Sequence, residues 1–160
     1  MQKFRRRTYH NLREIWADFH FIVTRRALVK KAMRELLSPA FRERLMLTVT
    51  QVNQCRYCRS FHSQQALEAG LDRDELAALL DGQIPADTPQ DEIPALVYAL
   101  HWAENNARPD RQAVQHLVEV YGTEMSEAIH IVLRMIRMGN LSGNTADYIL
   151  YRLTLGHAGI

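Results

Sequence analysis

The sequence predicts an all-α protein, on three observations. Apolar residues recur at three- and four-residue steps, as at Leu12, Ile15, Trp16, Phe19, Ile22 and Val23, which is the period of a helix with one buried face. The patterned segments are bounded by helix starts (Ser, Thr, Asp or Asn, often with Pro next) and by helix stops at Gly. The composition, 47% hydrophobic and 24% charged with seven Gly and five Pro, is that of a soluble globular protein.

Taken in order, the pattern predicts a basic helix over about 12–37. Ser38-Pro39 then ends it and opens a second helix over about 39–52. The β-branched tail of Leu45-Met46-Leu47-Thr48-Val49-Thr50 would suit a short strand on propensity alone, but the cap and the length favour helix. Asn53 is expected to cap a cysteine-bearing helix that closes at Gly70, and Asp72 a short helix that stops at Asp81-Gly82. The segment from Pro85 to Pro89 reads as an exposed loop. Thr88, followed by Pro89 and acids at 91 and 92, opens a helix to about Asn106. A helix over about 110–121 closes at Gly122. Thr123 opens the longest apolar helix, expected to end at Met138-Gly139-Asn140. Asn144 or Thr145 caps a last helix to about Leu155.

At 160 residues the chain fits one domain. It divides into a basic N-terminal helix (1–37), a hairpin holding the cysteines (38–71) and the remaining helices (72–160). A chain of this size buries roughly 70% of its unfolded surface and needs neither disulfide nor metal to fold. No apolar run approaches the roughly 20 residues that span a bilayer, and no secretion signal follows the basic start, so a cytoplasmic protein with no membrane partner is expected. The net charge of +2 hides an asymmetry: residues 1–34 carry +8 and the remainder −6. The simplest reading is that the positive arm docks on the acidic remainder of its own chain or of a neighbour. Its bases lack the Gly and aromatic interleaving of a nucleic-acid module, so nucleic acid is not an expected partner.

Cys55 and Cys58 are the only cysteines, and His62 follows four residues after the second. On a helix the three positions fall within an arc of about 60°. Two thiols and a base on one stripe make a redox site or half of a metal site. A cysteine in the first turn of a helix meets the positive end of the backbone dipole, which favours the reactive thiolate. Cys55 is placed there, with Cys58 about one turn inside. Arg56 and Arg59 add positive charge, and Arg59 borders the Cys55 direction. His62, one turn after Cys58, can take a thiol proton. Glu43 can orient His62 if the preceding helix packs antiparallel. Tyr57 is a packing residue whose phenol could assist proton transfer. His10, His20, His101, His116 and His130 read as ordinary surface or core residues, and Trp16 and Trp102 as core.

The five-point pattern of Glu43, Cys55, Tyr57, Cys58 and His62 resembles the AhpD-like alkylhydroperoxidase branch of the carboxymuconolactone decarboxylase superfamily. The resemblance is strongest over 43–71. It implies an AhpD-like helical domain whose core hairpin carries the Cys-x-x-Cys. It implies a thiol-dependent peroxidase with catalytic Glu43, Cys55, Cys58 and His62, supported by Tyr57 and Arg59. In that division of labour Cys58 is attacked by peroxide and becomes a sulfenic acid. Cys55 donates a proton and then resolves it as an intramolecular disulfide. The implied partners are a peroxide substrate, a dithiol or protein reductant, and further copies of the chain in a trimer or hexamer; no cofactor is implied. Some members carry a histidine where this chain has Tyr57. The rival readings are a general thiol–disulfide oxidoreductase of the same fold, a protein holding zinc through Cys55, Cys58, His62 and Glu43, a non-enzymatic interaction protein, and a decarboxylase. Structural zinc sites usually draw on two separated ligand pairs and this chain has no second pair, so no metal is expected. Members that decarboxylate generally lack paired cysteines.

Overall fold

The structure, a computed structural model, describes residues 4–159; Lys3 of the basic arm lies outside them. Among the described residues there are seven α-helices and no strand: α1 (Leu12–Val23), α2 (Arg26–Lys31), α3 (Pro39–Asn53), α4 (Arg56–Glu68), α5 (Arg73–Leu80), α6 (Ile93–Glu104) and α7 (Arg111–Leu153). None of them is long and apolar enough to cross a membrane.

α3 is the central element. Ser38 caps it by accepting the Phe41 N–H, and Pro39 occupies its first turn, where a missing N–H costs nothing. Phe41, Leu45, Met46 and Val49 enter the main core with Trp102 of α6 and Ile129, Val132 and Leu133 of α7. Leu47, on another face, packs with Ala66, Leu71 and Leu79 of the α4–α5 side. Burial on several faces also takes in charge. Arg44 is buried between Glu75 and Glu92, an arrangement in which a buried guanidinium is tolerated because both its forks are paired.

Several predicted boundaries differ from the observed ones. The first helix breaks at Thr24, whose hydroxyl turns back to the His20 carbonyl at 2.7 Å. After α2 the backbone widens into a π-helical stretch over Ala32–Leu36, and Arg42 of α3 donates to the carbonyls of Met33 and Leu37 there. α6 starts at Ile93 rather than Pro89, because Pro94 must sit in the first turn; deeper inside a helix it would clash and lose a hydrogen bond. In the preceding loop Pro85 and Thr88 are buried, not exposed. α7 does not end at Met138-Gly139-Asn140. It continues to Leu153, interrupted only by left-handed backbone at Gly122 (φ 73°), where a glycine carries no steric penalty. Asn140 and Asn144 point their carboxamides across to α3 instead of competing for their own backbone.

The basic arm docks on its own chain through Arg6 to Asp147, Arg7 to the last carbonyls of α6 and Lys31 to Glu124. The acid that matters most lies within the arm. Asp18 is buried and meets Arg134 at 2.7 Å, Arg137, and the Tyr9 hydroxyl at 2.8 Å. Trp102 is core as expected, whereas Trp16 is 64% exposed.

His130 of α7 packs edge-on against Tyr98 of α6, with Nε2 2.6 Å from the phenol oxygen. Burial, and next the Arg134 guanidinium, push its imidazole down to about 4. The unfolded value is about 6.5, so the unfolded chain binds the extra proton first. Stability from this group is complete above about pH 6.5 and falls as the pH drops toward about 4, by at most about 3 kcal/mol. Urea unfolding between pH 7 and 4 should show this decline and should show a flatter one in His130→Gln; equal slopes would remove His130 as its source.

Candidate active site

The hairpin of α3 and α4 is joined by a tight corner. α3 ends at Asn53, Gln54 adopts left-handed backbone (φ 58°), and Cys55 is extended. Asn53 therefore does not cap α4. Its side chain is buried and donates to Asn140 Oδ1 at 3.1 Å. Cys55 is itself the N-cap, its sulfur accepting the Cys58 N–H at 3.3 Å. Both cysteines thus sit two positions nearer the helix start than the sequence suggests, and Cys58 occupies the first turn, where unpaired N–H groups and the dipole favour negative charge. The two sulfurs form a disulfide, with Cα atoms 5.3 Å apart. Cys55 is fully buried and Cys58 only partly so, so reagents from solvent reach Cys58 first.

Glu43 and His62 meet across the antiparallel hairpin, with His62 Nδ1 2.7 Å from Glu43 Oε2 and both side chains largely buried. A carboxylate on Nδ1 selects the tautomer that leaves Nε2 to exchange protons. Phe61 stands edge-on to the His62 ring at 5.1 Å and is largely exposed, as is Tyr57. Arg59 is exposed and lines a cleft of about 310 Å³ with Arg56, Cys55, Gln51 and Gln54. The Tyr57 hydroxyl donates to Asp147 Oδ1 at 2.8 Å, and the Arg56 guanidinium lies over its ring, 4.8 Å from the centroid. Among the described residues no cluster of three or more His, Cys, Asp or Glu is grouped to hold a metal ion.

Several residues that build the site escaped the sequence reading. All lie on one stretch of α7. Asn140 holds Thr50 and Asn53, and Asn144 donates to the Asn53 carbonyl at 2.7 Å. A side chain at Gly143 would bring its Cβ within 3.3 Å of Cys55 Sγ, so glycine is what lets the disulfide lie against α7. Asp147 receives Arg56 and Tyr57, the two residues between the cysteines. Polar residues at 140, 144 and 147 share one helix face, whereas in the sequence Asn140 reads as part of a helix stop and Asn144 as the cap of a last helix.

No curated protein and no solved structure matches the chain. Residues 19–105, more than half of it, match the carboxymuconolactone decarboxylase family, and this segment contains Glu43, both cysteines and His62. An all-α fold with a Cys-x-x-Cys disulfide in the matched segment is consistent with redox chemistry. The chain belongs to the carboxymuconolactone decarboxylase family.

Proposed function

We propose that the protein is a thiol-dependent peroxidase of the AhpD-like branch, working in a reducing compartment such as the cytoplasm, with the whole chain as one domain. The observation that carries the reading is the placement of the Glu43–His62 pair on the hairpin that bears the Cys55–Cys58 disulfide. In the reduced protein the Cys58 thiolate attacks one peroxide oxygen. The O–O bond breaks, an S–O bond forms, and the departing alkoxide takes a proton to leave as alcohol or water. Cys55 then attacks the sulfenic sulfur, closing the disulfide and expelling water. A dithiol reductant restores both thiols. His62 receives the proton that Cys58 gives up, and Glu43 holds its ring in place. A general thiol–disulfide oxidoreductase would use the same residues without the peroxide step.

The test is steady-state peroxide consumption with hydrogen and organic peroxides and a dithiol. Oxidation should remove two hydrogen masses per chain. Glu43→Gln, which keeps shape and removes charge, is expected to slow peroxide reaction roughly 10²-fold and to raise the apparent thiol pKa. His62→Ala should do the same or worse, and the double variant little more, since the two act as one unit. Full additivity, or a Glu43→Gln protein that reacts like wild type, would remove the relay. Thiols that cycle with disulfides but ignore every peroxide would favour the oxidoreductase.

Assembly into homo-oligomers belongs to the same reading. Leu12, Trp16, Phe19 and Val23 leave an apolar stripe on α1 exposed, beside a groove of about 470 Å³ that includes Met138 and Gly139 of α7. The chain exposes 9412 Å², whereas a folded monomer of 18.5 kDa exposes about 8,200 Å². The surplus, of order 1,000 Å², is what one partner contributes to a stable interface.

A further inference from the structure

We propose that Asp147 is a positioning residue that lowers the redox potential of the Cys55–Cys58 pair by neutralising Arg56. The inference rests only on the pair being redox-active, not on peroxide as substrate. Arg56 opens the cysteine helix and Tyr57 follows it. Both reach the same Asp147 oxygen, each at 2.8 Å, and Arg56 also donates to the Tyr57 hydroxyl at 2.8 Å. The other carboxylate oxygen takes Arg6. Asp147 is only 2% exposed, so its charge is poorly screened by water or salt. One turn earlier on the same helix, Gly143 abuts Cys55 Sγ, so Asp147 lies about one helical turn along α7 from the point where the helix meets the disulfide. Asp147, Gly143 and Arg6 all lie outside the family-matched segment, so this control is supplied by parts of the chain beyond the shared hairpin.

Reduction of the disulfide takes up two electrons and two protons to give two thiols, or one proton when one sulfur stays a thiolate. A guanidinium beside the sulfurs favours the thiolate and hence the reduced pair. A carboxylate on that guanidinium opposes both effects. The bound Asp147 therefore keeps the thiols less acidic and the dithiol a stronger electron donor than Arg56 alone would allow.

The experiment equilibrates the full-length protein in glutathione redox buffers and counts protein thiols by mass after alkylation, with no peroxide present. Asp147→Asn should shift the equilibrium toward the dithiol about tenfold, which corresponds to about 30 mV, and should lower the pH midpoint of Cys58 alkylation. Arg56→Gln should shift both in the opposite direction, and the double variant should return near wild type. Tyr57→Phe removes a hydrogen bond but no charge and should stay within about twofold. Shifts of the same sign in Asp147→Asn and Arg56→Gln, no shift in either, or a Tyr57→Phe shift as large as that of Asp147→Asn would overturn the proposal. Should Asp147→Asn fail to fold, Arg56→Gln reads the same coupling from a side chain that is 44% exposed, and an unshifted potential there overturns it. A protein inert to peroxide leaves every one of these outcomes unchanged.

Discussion

Cys58→Ser should reduce peroxide turnover to background, while Cys55→Ser should keep a single oxidation event and stop there. The asymmetry follows from placement. Cys58 lies in the first turn of α4, partly exposed and on the same helical face as His62. It has a route to substrate, a field that favours thiolate and a base one turn away. Cys55 has no exposed surface and can meet a sulfenic acid formed next to it but not a peroxide from solution. Dimedone followed by mass spectrometry should therefore trap a sulfenic acid on Cys58 in Cys55→Ser and nothing on Cys55 in Cys58→Ser. The reverse labelling would exchange the two roles.

The largest effect on stability is expected at Asp18. Removing it in Asp18→Ala leaves Arg137, which is buried, without its carboxylate, and takes away the acceptor to which the Tyr9 hydroxyl and Arg134 donate. Breaking a buried pair from one side costs about 3–5 kcal/mol, because the remaining charge stays desolvated. In a chain of this size that lowers Tm by roughly 10 °C. Replacing both ends, Asp18→Leu with Arg137→Met, should recover much of the loss, since an apolar pair of similar volume needs no compensation. Thermal and urea unfolding of the two variants measures the difference. A cost below about 1 kcal/mol for Asp18→Ala would mean that solvent reaches this cluster.

The helical class and two pairs on the hairpin, Cys55 with Cys58 and Glu43 with His62, were legible in the chain, the first because its signal is local. Ser38-Pro39 and Asp72 are caps whose partners lie within three residues, and the spacing of Cys55, Cys58 and His62 carries its own geometry. Glu43 could be placed only through the family pattern, since nothing near Arg42 and Arg44 marks it as buried. What the chain hid depends on distant partners. Asn140 and Asn144 look like breakers until α3 supplies the groups they bond. Asp147 has no local signal at all; Arg6, Arg56 and Tyr57 converge on it from 90 or more positions away. Pro94 is the exception, a local signal whose steric rule by itself puts the start of α6 next to it.

The bond between Cys55 and Cys58 joins residues three apart in sequence. A covalent loop that short removes only roughly 2 kcal/mol of freedom from the unfolded chain, against about 4.7 for a loop of 100 residues. The corner it spans is held independently by the carboxamides of Asn53, Asn140 and Asn144. In the proposed redox cycle electrons can therefore enter and leave the pair while the architecture stays the same. Oxidation state is here a property of one corner of the molecule, and repeated turnover puts little wear on the fold that carries it.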